Sequence, residues 1–269
     1  MIRCDAHMHT RFSEDSDASV HSMLDAAIER GMEAVCITDH LDKDFPKTPD
    51  FPAGAFLFDL GNYFQRLTQL KEEYQKKLEV RIGVEIGLQP HLGEYYRELT
   101  EKYPFDFVIF SCHQVENKEY WRQEPQEGKT QLEYNRRYYQ EILDVVKVYK
   151  DYSILGHLDV IKRYDKQGEI EFEKIQDLIE QIFEVVIADG KGIELNTSSR
   201  AYKRKSLMPS KEILKLYHDM GGKIITIGSD AHNADRIGDC VMESQKILKD
   251  IGFDGIYTFE KMKPEFHRF

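Results

Sequence analysis

The chain has 269 residues, of which 48 are acidic and 37 basic, and its formal net charge is −11. A chain of this length can bury roughly 75% of its unfolded surface, so it needs no disulfide to fold. The negative charge repels phosphate backbones and anionic lipids, which excludes nucleic acid and membranes as expected partners. The four cysteines lack C-x-x-C spacing and the N-terminus lacks a signal-peptide pattern, so we expect a cytoplasmic protein.

Short β-branched runs alternate with longer amphipathic stretches along the chain. The runs carry apolar residues at consecutive positions, as strands buried on both faces do. They predict strands at 2–8, 33–39, 80–88, 106–114, 153–160, 192–197 and 223–230. The amphipathic stretches predict helices near 20–30, 59–78, 92–103, 131–150, 171–189, 210–220 and 237–250. Seven βα units and a parallel sheet follow from this alternation.

No linker, low-complexity segment or change of composition marks a boundary, so we expect a single domain over residues 1–269. Two long non-helical segments, 41–58 and 115–130, each follow the carboxyl end of a predicted strand. Such loops usually build the mouth of a pocket. A doubly wound open sheet would concentrate its special residues at one crevice, whereas here they recur after nearly every strand. This distribution favours a barrel.

Histidines and carboxylates occur at the carboxyl ends of the predicted strands. His7 and His9 point to the same face of the first strand, so both imidazoles can bind one cation. Five later motifs carry the same residue types: T-D-H ending at His40, G-V-E-I-G around Glu85, S-C-H ending at His113, G-H-L-D around His157, and G-S-D-A-H with Asp230 and His232. The strand ends of a parallel barrel meet on one face. The sequence therefore predicts one cluster of six histidines and at least two carboxylates.

This set of side chains exceeds what one ion can use. Zinc-like ions take about four ligands per site, and hydrolases often leave one position for water. The inventory therefore predicts two or three divalent ions that share a bridging carboxylate. Mixed imidazole and carboxylate ligation suits Zn, Mn or Fe better than Ca or Mg. The alternative, separate core histidines and helix caps, would require a coincidence at six strand ends.

Taken in order, the motifs resemble those of the polymerase and histidinol phosphatase (PHP) family, specifically its stand-alone histidinol-phosphatases. The resemblance covers essentially the whole chain. It rests on D-A-H-M-H-T at 5–10, S-E-D at 13–15, C-I-T-D-H at 36–40, G-V-E-I-G at 83–87, S-C-H at 111–113, G-H-L-D at 156–159 and G-S-D-A-H at 228–232. It implies an α/β fold, a distorted (β/α)7 TIM-like barrel known as the PHP fold, in agreement with the seven units counted above.

The resemblance also implies a trinuclear site. Its ligands would be His7, His9 and Asp230 for the first ion, His113 and His157 for the second, and Asp15, His40 and His232 for the third. Glu85 would bridge the first two ions, and Glu85 and Asp230 would take part in catalysis. Many family members have histidine where this chain has Asp15, and the adjacent Glu14 is an alternative ligand.

Two segments, 156–164 and 194–200, resemble those of histidinol-phosphatases in particular, and each delivers an arginine just past a strand end. Guanidinium groups bind phosphate oxygens with two prongs. We therefore expect Arg163 and Arg200 to bind the phosphate and contribute to catalysis, with Asn196 in support. Pairing of these arginines with surface carboxylates is the alternative.

The implied substrate is a small phosphomonoester, L-histidinol phosphate, which would be hydrolysed to L-histidinol and phosphate in histidine biosynthesis. Bound ions would lower the pKa of a shared water and so supply the nucleophile. Four residues of the second long loop could suit the ammonium and imidazole groups of this substrate: Glu116, Glu119, Tyr120 and Trp121. The same residues could equally form a solvated loop.

Three other functions remain open at this point. Another PHP phosphoesterase would act on nucleotides, phosphotyrosine or DNA ends, although the acidic charge weighs against DNA. An amidohydrolase would usually supply a carboxylated lysine as the bridge, and Glu85 stands in its place here. A non-catalytic metal-binding domain would be expected to have lost some ligands. The sequence leaves open the metal identity, the general acid and the oligomeric state.

Overall fold

The structure, a computed structural model, describes residues 1–199 and 207–269. Within these ranges seven parallel strands form one sheet in chain order, labelled β1 to β7: Cys4–Asp5, Ala34–Ile37, Glu79–Gly87, Phe107–Ser111, Ile154–Leu155, Gly192–Asn196 and Ile225–Gly228. The short strand His40–Leu41 continues the path of β2 and pairs with β3, opposite Glu85 and Ile86. The predicted parallel α/β arrangement is therefore confirmed.

The sheet closes on itself where β1 meets β7. The Ala6 amide donates to the Ile227 carbonyl at 3.0 Å, and the His9 amide donates to the Ala231 carbonyl at 2.9 Å. Met8 and Ala231 form a parallel bridge just beyond the two strands. This closure is a nearly complete seven-stranded barrel, and it brings the residues after β1 beside those after β7.

Eight α-helices within the described ranges are labelled α1 to α8 in chain order: Val20–Glu29, Leu60–Tyr74, Gly93–Lys102, Gln131–Val148, Ile161–Tyr164, Gln176–Ala188, Lys211–Asp219 and Val241–Ile251. Capping residues mark the starts of two of these helices. Thr130 and Glu133 form a capping box at α4, and the Asp59 carboxylate accepts the Gly61 and Asn62 amides at α2. In this part of the chain no helix combines the length and the apolar character needed to cross a bilayer.

Apolar side chains pack on both sides of the strands. A large core lies between the barrel and the helices, and it includes the fully buried rings of Tyr63, Tyr96 and Phe183. A smaller core fills the amino-terminal end of the barrel, with Ala6, Cys36, Phe107, Ile109, Ile154 and Phe259. Because the interior is filled at that end, a pocket has room at the opposite end, where the predicted metal ligands lie.

A carboxy-terminal β-hairpin was not predicted from the sequence. Its strands, β8 Gly255–Glu260 and β9 Lys263–Arg268, cover the amino-terminal end of the barrel. Phe259 packs on Phe107 with ring centroids 5.0 Å apart. The Met262 amide donates to the Asp106 carbonyl at 2.9 Å, which fixes the turn against the strand β4 region.

Six of the seven predicted strands are longer than those observed, and two of them differ most. The predicted strand 2–8 is regular only over Cys4–Asp5, and the predicted strand 153–160 only over Ile154–Leu155. In the second case the chain turns at once, because the Val160 amide donates to the His157 carbonyl at 2.8 Å and α5 follows. The early turn places His157 at the barrel mouth rather than inside a strand.

Candidate metal centre

Every predicted metal ligand lies at the carboxyl end of the barrel or in the turn that follows a strand. Glu85 lies within β3 and His40 in the short strand His40–Leu41, while the other five histidines follow their strands by two to four residues. Asp230 adopts a left-handed conformation with φ of 54°, one that aspartate tolerates better than most residues. This turn directs the chain after β7 back across the barrel mouth.

Glu85 lies at the centre of the cluster and is fully buried. Its Oε2 atom lies 2.9 to 3.4 Å from ring nitrogens of three histidines: His7, His9 and His40. Its Oε1 atom lies 3.3 Å from His113 Nε2 and 2.9 Å from His157 Nε2. The Ser111 hydroxyl donates to the same Oε1 atom at 2.5 Å. Oε2 of Glu85 thus faces three imidazoles, and Oε1 faces two others.

The residues after β7 complete two sides of this cluster. Asp230 Oδ1 lies 3.3 Å from His9 Nε2 and 3.8 Å from His7 Nε2. Asp15 Oδ2 lies 3.2 Å from His232 Nε2 and 3.6 Å from His40 Nε2. Glu14 and Asp15 are both exposed residues, and the contacts with His232 and His40 identify Asp15 as the carboxylate that approaches the cluster.

Four groups of side chains in the described ranges have ligand atoms close enough together to hold a cation. They are His7, His9 and Asp230; Glu85, His113 and His157; His9, His40 and His232; and His40, Asp42 and His113. The first two match the expected first and second ions. The third group contains His40 and His232 as expected, but its third member is His9 rather than Asp15. The fourth group contains Asp42, which belongs to none of the sequence motifs.

A buried polar atom without a hydrogen bond tests whether these residues suit a metal. Glu85 Oε2 is buried and accepts no hydrogen bond, although three imidazole nitrogens surround it. A buried carboxylate oxygen left in this way costs free energy unless a cation or donor satisfies it. The donor set of imidazole nitrogen and carboxylate oxygen is one that Zn and similar ions prefer. The residues present therefore fit divalent ions.

The electrostatics of the cluster favour ionised carboxylates. Burial opposes the charged form of Glu85, but the imidazoles of His7, His40 and His113 outweigh burial and hold its pKa well below the usual range. Asp230 is buried as well, and His7 and His9 likewise lower its pKa strongly. Both carboxylates are thus anionic at neutral pH and available to a cation.

The imidazoles differ from one another in the same field. Burial lowers the pKa of His9, and the neighbouring His232 and His40 lower it further. Partial burial also lowers the pKa of His232, yet Asp15 and Asp230 outweigh it and raise this pKa to about 9. Some imidazole rings of the cluster therefore carry positive charge in the absence of ions. Bound metal ions would replace this charge.

A cavity of about 360 Å³ opens above this cluster. Aromatic residues from both long loops line one side, and polar residues of the centre line the floor. Arg163 lines the cavity and donates to the Ser198 hydroxyl at 2.6 Å. Arg236, which no motif had singled out, lines it beside His232. The predicted phosphate ligand Arg200 has its side chain outside the described residues.

Asn196 is buried below the cavity rather than along its wall. Its amide donates to Glu194 Oε2 at 3.1 Å and to Asp230 Oδ2 at 3.3 Å, and its carbonyl oxygen accepts the Ser198 hydroxyl at 2.6 Å. These contacts use the polar atoms of Asn196 within the protein. Direct contact of Asn196 with a substrate therefore stays a prediction, and Ser198 is the neighbour that reaches the cavity.

The second long loop divides into two parts. Glu119, Tyr120 and Trp121 line the cavity, whereas Glu116 pairs with Arg137 at 2.9 Å on the surface side. The Glu119 carboxylate accepts hydrogen bonds from the Gln114 amide and the Trp121 indole. Burial raises the pKa of Glu119 to about 7. The loop thus presents one buried, titratable carboxylate to the cavity.

Comparison with known proteins agrees with this arrangement. The PHP domain family model matches residues 5–198, which contain most of the cluster. The chain belongs to the PHP family. This assignment confirms the expected resemblance, and the observed barrel agrees with the expected PHP fold.

Two relatives of this PHP-family chain match it over nearly its whole length. The histidinol-phosphatase of Lactococcus lactis is 31% identical over 98% of this chain and 96% of its own. A probable histidinol-phosphatase of Clostridium acetobutylicum is 29% identical over 96% of both chains. The solved structure of the Lactococcus lactis histidinol phosphate phosphatase, in complex with zinc, L-histidinol and phosphate, has a TM-score of 0.86 and 30% identity. It covers 97% of this chain, and this chain covers 98% of it.

Proposed function

We propose that the protein is a metal-dependent histidinol-phosphatase that hydrolyses L-histidinol phosphate to L-histidinol and phosphate. The observation that carries the proposal is the arrangement around Glu85, whose two oxygens face separate groups of imidazoles beneath an open cavity. The full-length similarity to a histidinol-phosphatase supports the choice of substrate. A solved relative that binds L-histidinol and phosphate supports it further.

The cluster would hold two or three divalent ions, Zn, Mn or Fe. The first would use His7, His9 and Asp230, the second His113 and His157, with Glu85 shared, and the third Asp15, His40 and His232. When bound, such ions lower the pKa of a water to about 7 and stabilise negative charge on phosphoryl oxygens. The Ser111 hydroxyl, which donates to Glu85 Oε1, would hold the shared carboxylate in one orientation.

Arg163 is one of the cations that the chain itself would offer to the phosphate. It lies on the cavity wall and hydrogen-bonds Ser198, whose hydroxyl lies 3.3 Å from Asp230 Oδ2. A guanidinium fixed in this way would hold the phosphoryl group against the metal-binding residues and orient the ester oxygen away from them. Arg200 would contribute a second guanidinium.

The organic half of the substrate would occupy the loop side of the cavity. Glu119 would accept the substrate ammonium, because its carboxylate already lies buried in the wall. Trp121 and the ring of Phe56 would contact the substrate imidazole, since aromatic faces attract flat and cationic groups. The loops would thus select the alcohol, and the centre would select the phosphate.

A phosphate-release assay on purified, zinc-reconstituted protein tests the proposal. We expect L-histidinol phosphate to give a higher kcat/KM than nucleoside monophosphates, phosphotyrosine or a 3′-phosphorylated oligonucleotide. Glu85→Gln is the matched inactive control, because it removes the carboxylate that both ions share. A decisive preference for another ester, or no phosphate release with any of them, would contradict the proposed function.

A further inference from the structure

We infer that two buried carboxylates, Glu194 and Asp42, are positioning residues that orient His7 and His113 toward two different ions. The inference rests on the proposed function, since it concerns the same centre. Neither carboxylate belongs to the motifs assigned above to metal binding. Each contacts the Nδ1 atom of its histidine, whose Nε2 atom faces Glu85, and Asp42 also lines the cavity.

Glu194 lies on β6 with 1% of its surface exposed. Its Oε1 atom is 2.7 Å from His7 Nδ1. Its Oε2 atom accepts the His157 amide at 2.9 Å and the Asn196 side-chain amide at 3.1 Å. All of these partners are donors, so the carboxylate is held in place from several directions.

Asp42 makes the equivalent contact with His113. It lies at the start of the first long loop and is 6% exposed. Its Oδ2 atom is 2.7 Å from His113 Nδ1, and its Oδ1 atom accepts the Gly87 amide at 2.9 Å. Asp42 also has a carboxylate oxygen within 4.8 Å of a His40 ring nitrogen, but its hydrogen bond is with His113.

These contacts determine which ring nitrogen carries the proton. An ionised carboxylate only accepts hydrogen bonds, so the Nδ1 atom of each histidine must donate. Nε2 is then the ring nitrogen that can give its lone pair to an ion, and it faces Glu85 at 3.2 Å in His7 and 3.3 Å in His113. His7 faces Oε2 of Glu85 and His113 faces Oε1. Glu194 therefore orients a histidine on the Oε2 side of Glu85, and Asp42 orients one on the Oε1 side.

Two motif glycines provide the space for these carboxylates. A Cβ atom added to Gly228 would lie 2.3 Å from Glu194 Oε1, and one added to Gly87 would lie 2.6 Å from Asp42 Oδ1. Neither glycine has a positive φ that would otherwise require it. The close approach of Asp42 therefore explains Gly87, and that of Glu194 together with the His7 Cβ atom, which would also lie 2.3 Å away, explains Gly228.

Amide variants remove the acceptors with little change of volume. In Glu194→Gln one side-chain position becomes an NH₂ group, which must face either His7 Nδ1 or the His157 amide. In Asp42→Asn the same conflict arises between His113 Nδ1 and the Gly87 amide. Either orientation of the side-chain amide weakens the preference of the histidine for the tautomer with its proton on Nδ1 and its lone pair free on Nε2.

Zinc binding measured by equilibrium dialysis and elemental analysis tests the inference. We expect Glu194→Gln and Asp42→Asn each to weaken one ion by about 10- to 100-fold and to leave the other sites close to the parent. Asp106→Asn is the matched control, because Asp106 is a buried carboxylate at the opposite end of the barrel that accepts the Ile82 amide at 3.0 Å. It should affect unfolding but not zinc affinity.

Nitrogen-15 spectra of zinc-loaded protein with labelled histidine provide a readout independent of stability and turnover. We expect His7 and His113 to carry the proton on Nδ1 in the parent and to lose this pattern in their respective variants. Parent-like zinc affinity in both variants, equal loss of every ion, or a His113 without an Nδ1 proton would overturn the inference. If the parent binds zinc and hydrolyses the ester, these results leave the proposed function intact; a parent that binds no zinc overturns both.

Discussion

Arg163 joins the candidate metal centre to the cavity through a short chain of polar contacts. Its guanidinium donates to Ser198, and that hydroxyl donates in turn to the carbonyl oxygen of Asn196. The same hydroxyl lies 3.3 Å from Asp230. A phosphoryl group in the cavity would therefore meet a cation whose position is coupled to the residues of the centre.

Replacement of Arg163 by alanine should lower kcat/KM for L-histidinol phosphate by about 10- to 150-fold, the loss expected for hydrogen bonds to a charged group. Zinc content should stay at the parental value, because the arginine is not placed among the ligands. Arg163→Lys should recover part of the loss, since a point charge cannot reproduce the two-pronged guanidinium. Steady-state kinetics with metal analysis check this, and parental rates in both variants would remove Arg163 from the phosphate site.

Glu119 predicts a pH-dependent choice between substrates. Its pKa is raised to about 7, so the carboxylate becomes anionic only as the pH rises through that value. The ratio of kcat/KM for L-histidinol phosphate to that for an alkyl phosphate without an ammonium group should therefore rise about tenfold from pH 6 to pH 8. The ratio cancels titration of the metal centre, which both esters share.

Glu119→Gln should flatten this ratio across the same pH range and lower it at pH 8. Glu116→Gln is the control, because Glu116 pairs with Arg137 outside the cavity. A ratio that rises equally in the Glu119 variant would show that another group recognises the ammonium.

At the level of residues, the sequence predicted which side chains converge but not which ones support them. The ligand positions follow from strand ends, because any parallel barrel brings those ends together. Glu194 carries a weaker signal, an acidic residue within the otherwise apolar run G-I-E-L-N. Its partner is set by the packing of β6 against His7, 187 positions away, and no local pattern encodes that contact.

The carboxy-terminal hairpin closes the end of the barrel opposite the candidate metal centre. Phe259 from β8 is 5% exposed and reaches the small core around Phe107 and Ile109. Arg81 on β3 pairs with Glu260 at 3.2 Å and Glu265 at 3.0 Å. The hairpin therefore contributes to stability at a distance from the metal centre.

Phe259→Ala should lower the free energy of unfolding by about 3–5 kcal/mol, because it removes a buried ring and leaves a cavity. Zinc content and kcat/KM at low temperature should be unchanged. Phe266→Ala on the partner strand is the control, since that ring is 47% exposed. Denaturant unfolding measures both, and an equal small effect in the two variants would show that the hairpin is peripheral to stability.

The elements themselves were largely predictable, and the exceptions have physical reasons. Apolar runs and amphipathic stretches located the seven strands and the long helices, since burial on two faces and on one face produce different patterns. The hairpin lacked its usual signal, because its turn places Lys261 and Met262 at positive φ instead of Asn-Gly. Pro264 and the charged positions of β9 further obscured the alternation.

For the whole molecule, the central question is how an acidic chain binds an anionic ester. The formal net charge of −11 opposes a phosphate at long range, so attraction must be local. Arg163 and Arg236 line the cavity, and bound divalent ions would add positive charge at its floor. Screening within about 10 Å at ordinary ionic strength lets this local charge prevail over the distant acidic surface.

Metal removal should destabilise the entire fold rather than one loop. The proposed ligands extend from His7 to His232 and belong to segments next to six of the seven strands, so each ion links distant parts of the chain. Zinc at 100 times its dissociation constant stabilises the native state by about 2.7 kcal/mol. For a chain of this size that corresponds to a Tm rise of about 5–10 °C.

Thermal unfolding of dialysed, chelator-treated protein against the zinc-loaded form measures this rise. Glu85→Gln should show a much smaller response to zinc, because the shared carboxylate is absent, while Phe259→Ala should show the full response from a lower starting Tm. The two variants thus separate stabilisation by ions from stabilisation by the hairpin. Equal Tm values for the parent with and without zinc would mean that the cluster does not hold ions across the barrel, and the metal-dependent mechanism would fail with it.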